Sequence, residues 1–122
     1  NDIERPDDFV IKQVANKSKD KVAIIQAIDR KISLKDIAKS SEILYDDLLL
    51  ELNQIVDGGT RLDINYFIKD ILDEDIMEEI YDYFHEADSD SIEAAYNELK
   101  DEDINMEEIL LTRIKFMSEV VN

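Results

Sequence analysis

Apolar positions recur along most of this chain at the three- and four-residue spacing of helices, separated by short polar breaks. Between Lys21 and about Asp29, Val22, Ile25 and Ile28 keep that spacing and Ile24 broadens the stripe, which predicts a first helix. Arg30 and Lys31 close it, since cations suit the partly negative end of a helix. Ser33 is a good N-cap for a short second helix, Leu34 to Lys39. Ile32 and Ile37 are spaced as its hydrophobic staple, and Ala38 is small enough for a close crossing. Ser40 to Leu44 makes a turn. A third helix from about Tyr45 to Asp57 carries Leu48, Leu49, Leu52, Ile55 and Val56 on one broad face, and Gly58-Gly59 stops it. A short helix between two longer ones is the helix-turn-helix plan, although a generic three-helix bundle fits the spacing equally well.

Beyond Gly59 the pattern changes. Thr60 to Asn65 alternates briefly, which leaves room for a vestigial wing, and Asn65 can cap the apolar turn of Tyr66, Phe67, Ile68, Ile71 and Leu72. A helix is predicted over about Glu74 to Glu86, with Ile76, Ile80, Tyr83 and Phe84 inward and Glu78, Glu79, Asp82 and Glu86 in solvent. Ser91 or Ser89 caps the next, which runs to Lys100 on Ile92, Ala95, Tyr96 and Leu99. Asn105 and Glu108 form a capping box for the last helix, whose predicted stripe is Ile109, Leu110, Ile114, Met117, Val120 and Val121. Met77, Met106 and Met117 read as core fillers. With two glycines and one proline in 122 residues, the fold class is all-α. The expected organisation is a lead-in over residues 1–15, a helix-turn-helix over 16–60 and a helical C-terminal part over 61–122 packed on it as one compact unit.

Charge divides the chain unevenly. The net charge is -17, yet Phe9 to Ser40 holds eight cations against three carboxylates, whereas from Ser41 onward five cations stand among 24 carboxylates. Such asymmetry marks a nucleic-acid or acidic-surface contact on the basic side, or merely lysines solvating two amphipathic helices. The third helix, where DNA-binding helix-turn-helix proteins place their base-reading side chains, contains Asp46, Asp47, Glu51 and Asp57 and no cation. It forfeits the counterion-release gain and adds like-charge repulsion. Any DNA contact is therefore expected on Lys17, Lys19, Lys21, Arg30, Lys31, Lys35 and Lys39, which would touch phosphates without reading sequence.

The run FVIKQVANKSKDKVAIIQAIDRKISLKDIAKSSEILYDDLLLELNQIVDGGTRLDINYFI, followed by EEIYDYFHEADSDSIEAAYNELKDEDI, resembles the C-terminal tail of RecQ-family DNA helicases of Bacteroides-like bacteria. The resemblance runs from about Phe9 to Ser118, and KVAIIQAIDRKISLKDIA and IYDYFHEADSDSIEAA are its most particular pieces. It implies the last module of an ATP-dependent helicase, with ATP and magnesium expected only in the motor. Such a module acts on substrates distinguished by structure rather than sequence.

Catalytic chemistry finds little support. There is no cysteine, hence no disulfide and no thiolate metal site, and no glycine-rich loop ending in Gly-Lys-Ser or Gly-Lys-Thr. His85 is the single histidine, read as a surface residue on an acidic helix. Asp73, Glu74, Asp75 and Asp88, Asp90 look superficially like cation ligands, but the second run lacks the glycine and terminal glutamate of a calcium loop. No catalytic, cofactor or metal residue is expected in this stretch, nor any membrane segment, and the compartment is expected to be the bacterial cytoplasm. Two functions follow: a DNA-contacting accessory module working through the basic stretch, or an acidic interaction module docking on the helicase core or a basic partner.

Overall fold

The computed structural model describes residues 21–121. Its helices are α1 (residues 21–29), α2 (Leu34–Ser41), α3 (Tyr45–Asp57), α4 (Asn65–Ile71), α5 (Glu74–Glu86), α6 (Ile92–Leu99) and α7 (Met106–Phe116). A 3₁₀ turn (Lys100–Glu102) follows α6, and a π-helical turn (Met117–Val121) extends α7. Among the described residues there is no strand, so the chain is all-α as expected. The expected lead-in over residues 1–15 lies outside the described residues.

One closure ends each of the first three helices. After α1, the Lys31 N–H donates to Ile28 O and the Ile32 N–H to Ala27 O, with Lys31 left-handed at φ 62°. After α2, Glu42 at φ 60° donates to Lys39 O, and Ile43 to Ala38 O. Gly59 at φ 102° donates to Val56 O after α3, and Thr60 to Ile55 O. These are Schellman motifs, which satisfy carbonyls the helix leaves orphaned. Sequence reading foresees the glycine closure, whereas Lys31 and Glu42 adopt the same backbone region against a steric cost of about 1–2 kcal/mol each.

Helix starts follow their side chains. Ser33 Oγ accepts from the Lys35 N–H, Asp73 from the Asp75 N–H, and Ser91, rather than Ser89, from the Ala94 N–H. Asn105 and Glu108 make both bonds of the capping box, each 2.9 Å. Asn65 does not cap α4. It is that helix's first residue, and its N–H is taken by the Asp63 carboxylate behind it.

Leu62 and Ile64 are buried and Arg61 and Asp63 exposed, so the alternation after Gly59 is real. It forms no wing, because the Leu62 N–H goes to Ser118 Oγ at 2.9 Å rather than to a neighbouring strand. Helix α2 runs two residues further than expected, to Ser41. Val22, expected inward, is 55 % exposed; Ile24 and Ile28 carry the buried stripe of α1. Met106 is exposed too, while Met117 is buried and Met77 partly so.

The largest departure concerns α7. An amphipathic helix was the expectation, but Ile109, Leu110, Leu111, Thr112, Arg113, Ile114 and Phe116 are all buried, and Val120 is exposed. Helices α3, α4, α5 and α6 all pack against it. A helix enclosed on all sides is the core of its domain, with no solvent face to pattern. The buried residues of α1 to α7 accordingly form a single apolar cluster.

Candidate nucleic-acid interface

Besides apolar packing, a buried cation joins the helix-turn-helix to the C-terminal helices. Arg113, 4 % exposed, donates through Nη1 to Asn53 Oδ1 (2.9 Å), through Nη2 to Asp57 Oδ1 (2.9 Å) and through Nε to the Asp90 carbonyl (2.7 Å). Asp90 Oδ2 lies 3.5 Å from Nη2. Asn53, itself buried, donates to Leu49 O and across to Leu110 O. This network fixes the last turns of α3 against α7 and the α5–α6 turn. Of the carboxylates that look like cation ligands in the sequence, Asp90 holds Arg113 together with Asp57, and Asp73 caps α5.

With α3 so anchored, its outer face is fixed. Asp46, Asp47, Leu50 and Gln54 are exposed and Glu51 half-buried, with no cation among them. Leu44, just before the helix, is 72 % exposed. Such a face repels phosphate and offers no donor fork to guanine edges, so major-groove readout by α3 is physically disfavoured.

The cations lie on the other side of the turn. Lys21, Arg30, Lys31, Lys35 and Lys39 are all exposed; Lys17 and Lys19 lie outside the described residues. Lys31 and Lys35 line one open groove of about 310 Å³ with Ser33, Tyr66, Phe67 and Asp70. Lys39 follows Lys35 by one helical turn, and Arg30 precedes Lys31 at the end of α1. Lys21 is not brought to them; nine residues along α1 place it roughly 13 Å from Arg30.

Two tyrosines beneath the lysines are absent from the sequence-based site. Lys31 Nζ sits 5.9 Å from the Tyr66 ring centroid and Lys35 Nζ 5.5 Å from that of Tyr45. Each ring is itself pinned: the Tyr66 hydroxyl donates to Ile32 O, and that of Tyr45 to Glu107 Oε2 at 2.9 Å. Burial, then the Asp63 charge, pushes the Tyr66 phenol up to about 12. Burial, then the bond to Glu107, raises that of Tyr45 as well. Both rings are therefore neutral at pH 7, and a cation over such a face gains about 0.5–1 kcal/mol at an exposed site. No local signal announces this pairing, since Tyr66 is 34 residues from Ile32 and Tyr45 is 62 from Glu107. His85 is exposed, edge-on to Tyr81 and Phe116, with no further imidazole or thiol in the chain to join it.

The geometry defines an all-helical helix-turn-helix with a basic turn and an acidic third helix. Residues 18–68 match the family described as RecQ-1-like, helix-turn-helix domain. Over these residues the chain is similar to RecQ-family helix-turn-helix domains, in line with that part of the sequence resemblance. No curated protein matches the chain. No helix among the described residues is long and apolar enough to cross a membrane.

Proposed function

We propose that the chain is a non-catalytic accessory module of a RecQ-like ATP-dependent DNA helicase. It contributes weak, structure-directed DNA contact in repair or recombination, in the bacterial cytoplasm at the nucleoid. The observation that carries this reading is the coincidence of the RecQ-family match with the exposed cations: residues 18–68 include Lys21, Arg30, Lys31, Lys35 and Lys39. Lys17 and Lys19 belong to the same basic stretch by sequence. ATP and magnesium belong to the motor in this reading, because the chain has no Gly-Lys-Ser or Gly-Lys-Thr to hold them.

The test is a fluorescence-anisotropy titration with labelled single-stranded, duplex and forked DNA at low and near-physiological salt. Expected is a Kd of roughly 10⁻⁴ to 10⁻⁶ M at physiological salt, tightening steeply as salt falls. No binding at low salt would refute it.

A second reading draws on α3, whose outer face combines Asp46, Asp47 and Glu51 with exposed Leu50, next to exposed Leu44. That face suits docking on a basic, partly apolar protein surface, the helicase core included. Replacing Asp47 and Leu50 with lysine would abolish such docking and leave DNA affinity no weaker.

A further inference from the structure

Two of the exposed lysines differ from ordinary surface lysines. Lys31 and Lys35 converge on a single groove, each stands over a tyrosine ring, and among the described residues neither has a carboxylate in ion-pair range. A lysine normally gives up about 2 kcal/mol of rotamer entropy to hold one position. Here that loss is already partly met in the unliganded protein, because the rings beneath the two ammonium groups are tied down by Ile32 O and Glu107. The backbone contributes as well. The left-handed turn at Lys31 sends the chain from α1 directly into the Ser33 cap, so the groove's floor is a hydrogen-bonded turn. The Asp70 carboxylate lines the same groove, outside ion-pair range of both ammonium groups.

We propose that this groove between the α1–α2 turn and α4 is a seat for one phosphodiester of a DNA strand, held between the Lys31 and Lys35 ammonium groups. The inference rests on the DNA-contact reading above and assigns its principal site. Tyr66 and Tyr45 are positioning residues: their rings lie under the lysines and are not free to stack on bases. Contact is therefore with the backbone alone and indifferent to sequence.

The test uses the full 122-residue chain and labelled dT20, with Lys31→Met/Lys35→Met compared against Lys21→Met/Lys39→Met, which carries the same charge change. Expected is at least tenfold weaker binding for the groove pair. The slope of log affinity against log salt should fall by about one, a single phosphate's worth. The control pair should lose less than half as much on a logarithmic scale. Tyr66→Leu, with both lysines kept, should also weaken binding. On adding dT8, the amide resonances of Lys31, Ser33, Lys35 and Asp70 should shift together on one saturation curve. If the unaltered chain fails to bind at low salt, the DNA reading falls and the groove with it. If it binds, yet the groove pair binds as well as the control pair, or the shifts lie elsewhere, the groove assignment alone is overturned. Circular dichroism serves as the folding check, as all four lysines are exposed.

Discussion

Replacing Arg113 with methionine removes the one cation that ties α3 to α7 and to the α5–α6 turn. Methionine fills much of the same volume, so the loss is chiefly polar. The groups left behind fare unequally. Asp57 and Asp90 have side chains 47 % and 52 % exposed, so their carboxylates turn to water at little cost. Asn53 is 2 % exposed and cannot; its Oδ1 is stranded, at about 1–3 kcal/mol for an unpaired buried acceptor. Lost charge-assisted bonds add to that. Breaking a buried ion pair from one side costs 3–5 kcal/mol, and half-exposed carboxylates place this case near the lower end, about 3 kcal/mol. With a urea dependence of roughly 1.5 kcal/mol/M for a domain this size, the unfolding midpoint should fall by about 2 M. Adding Asn53→Leu removes the stranded acceptor and should recover about 1 kcal/mol, measured as the coupling of a double-mutant cycle. A loss below about 1 kcal/mol for Arg113→Met, or strict additivity with Asn53→Leu, would refute the network's structural role.

Three further outcomes follow from the same structure. Thr112 Oγ1 is fully buried with no partner, so Thr112→Val should stabilise the protein by about 1 kcal/mol in thermal or urea unfolding. Glu42→Gly should also stabilise, by about 1 kcal/mol, because the left-handed closure of α2 no longer carries a side-chain penalty; a destabilised variant would contradict that closure. The Tyr66 proton is held more tightly in the folded chain than in the unfolded one, pushed from 10.0 up to about 12. Its contribution is therefore complete below pH 10 and declines as pH rises from 10 to 12, so Tyr66→Phe should flatten the alkaline limb of a stability–pH profile in that window.

Much of the helix-turn-helix was legible because its signals are local. The bounds of α3, the Ser33 cap and the Asn105–Glu108 box each depend on residues within a few positions of one another. Elsewhere a competing partner intervened, distant at Leu62 and two residues away at Asn65. Ser118 takes the Leu62 N–H that a wing would need, and Asp63 takes the Asn65 N–H. Val22 keeps its helical spacing but faces away from the apolar cluster that buries Ile24 and Ile28. The cations of the candidate site were likewise visible as a run of charge, whereas the tyrosines beneath two of them were not.

Periodicity, caps and charge distribution determined by themselves that the chain is helical, where most helices begin and end, and that its basic and acidic parts are separate. Those properties follow from side chains acting on their own turn of backbone. Tertiary packing alone decided that α7 is the enclosed central helix, that Arg113 is buried and ties it to α3, and that Lys31 and Lys35 share a groove. Each depends on groups brought together across dozens of residues, where burial leaves no periodic trace and a polar contact is specified only by the partner opposite.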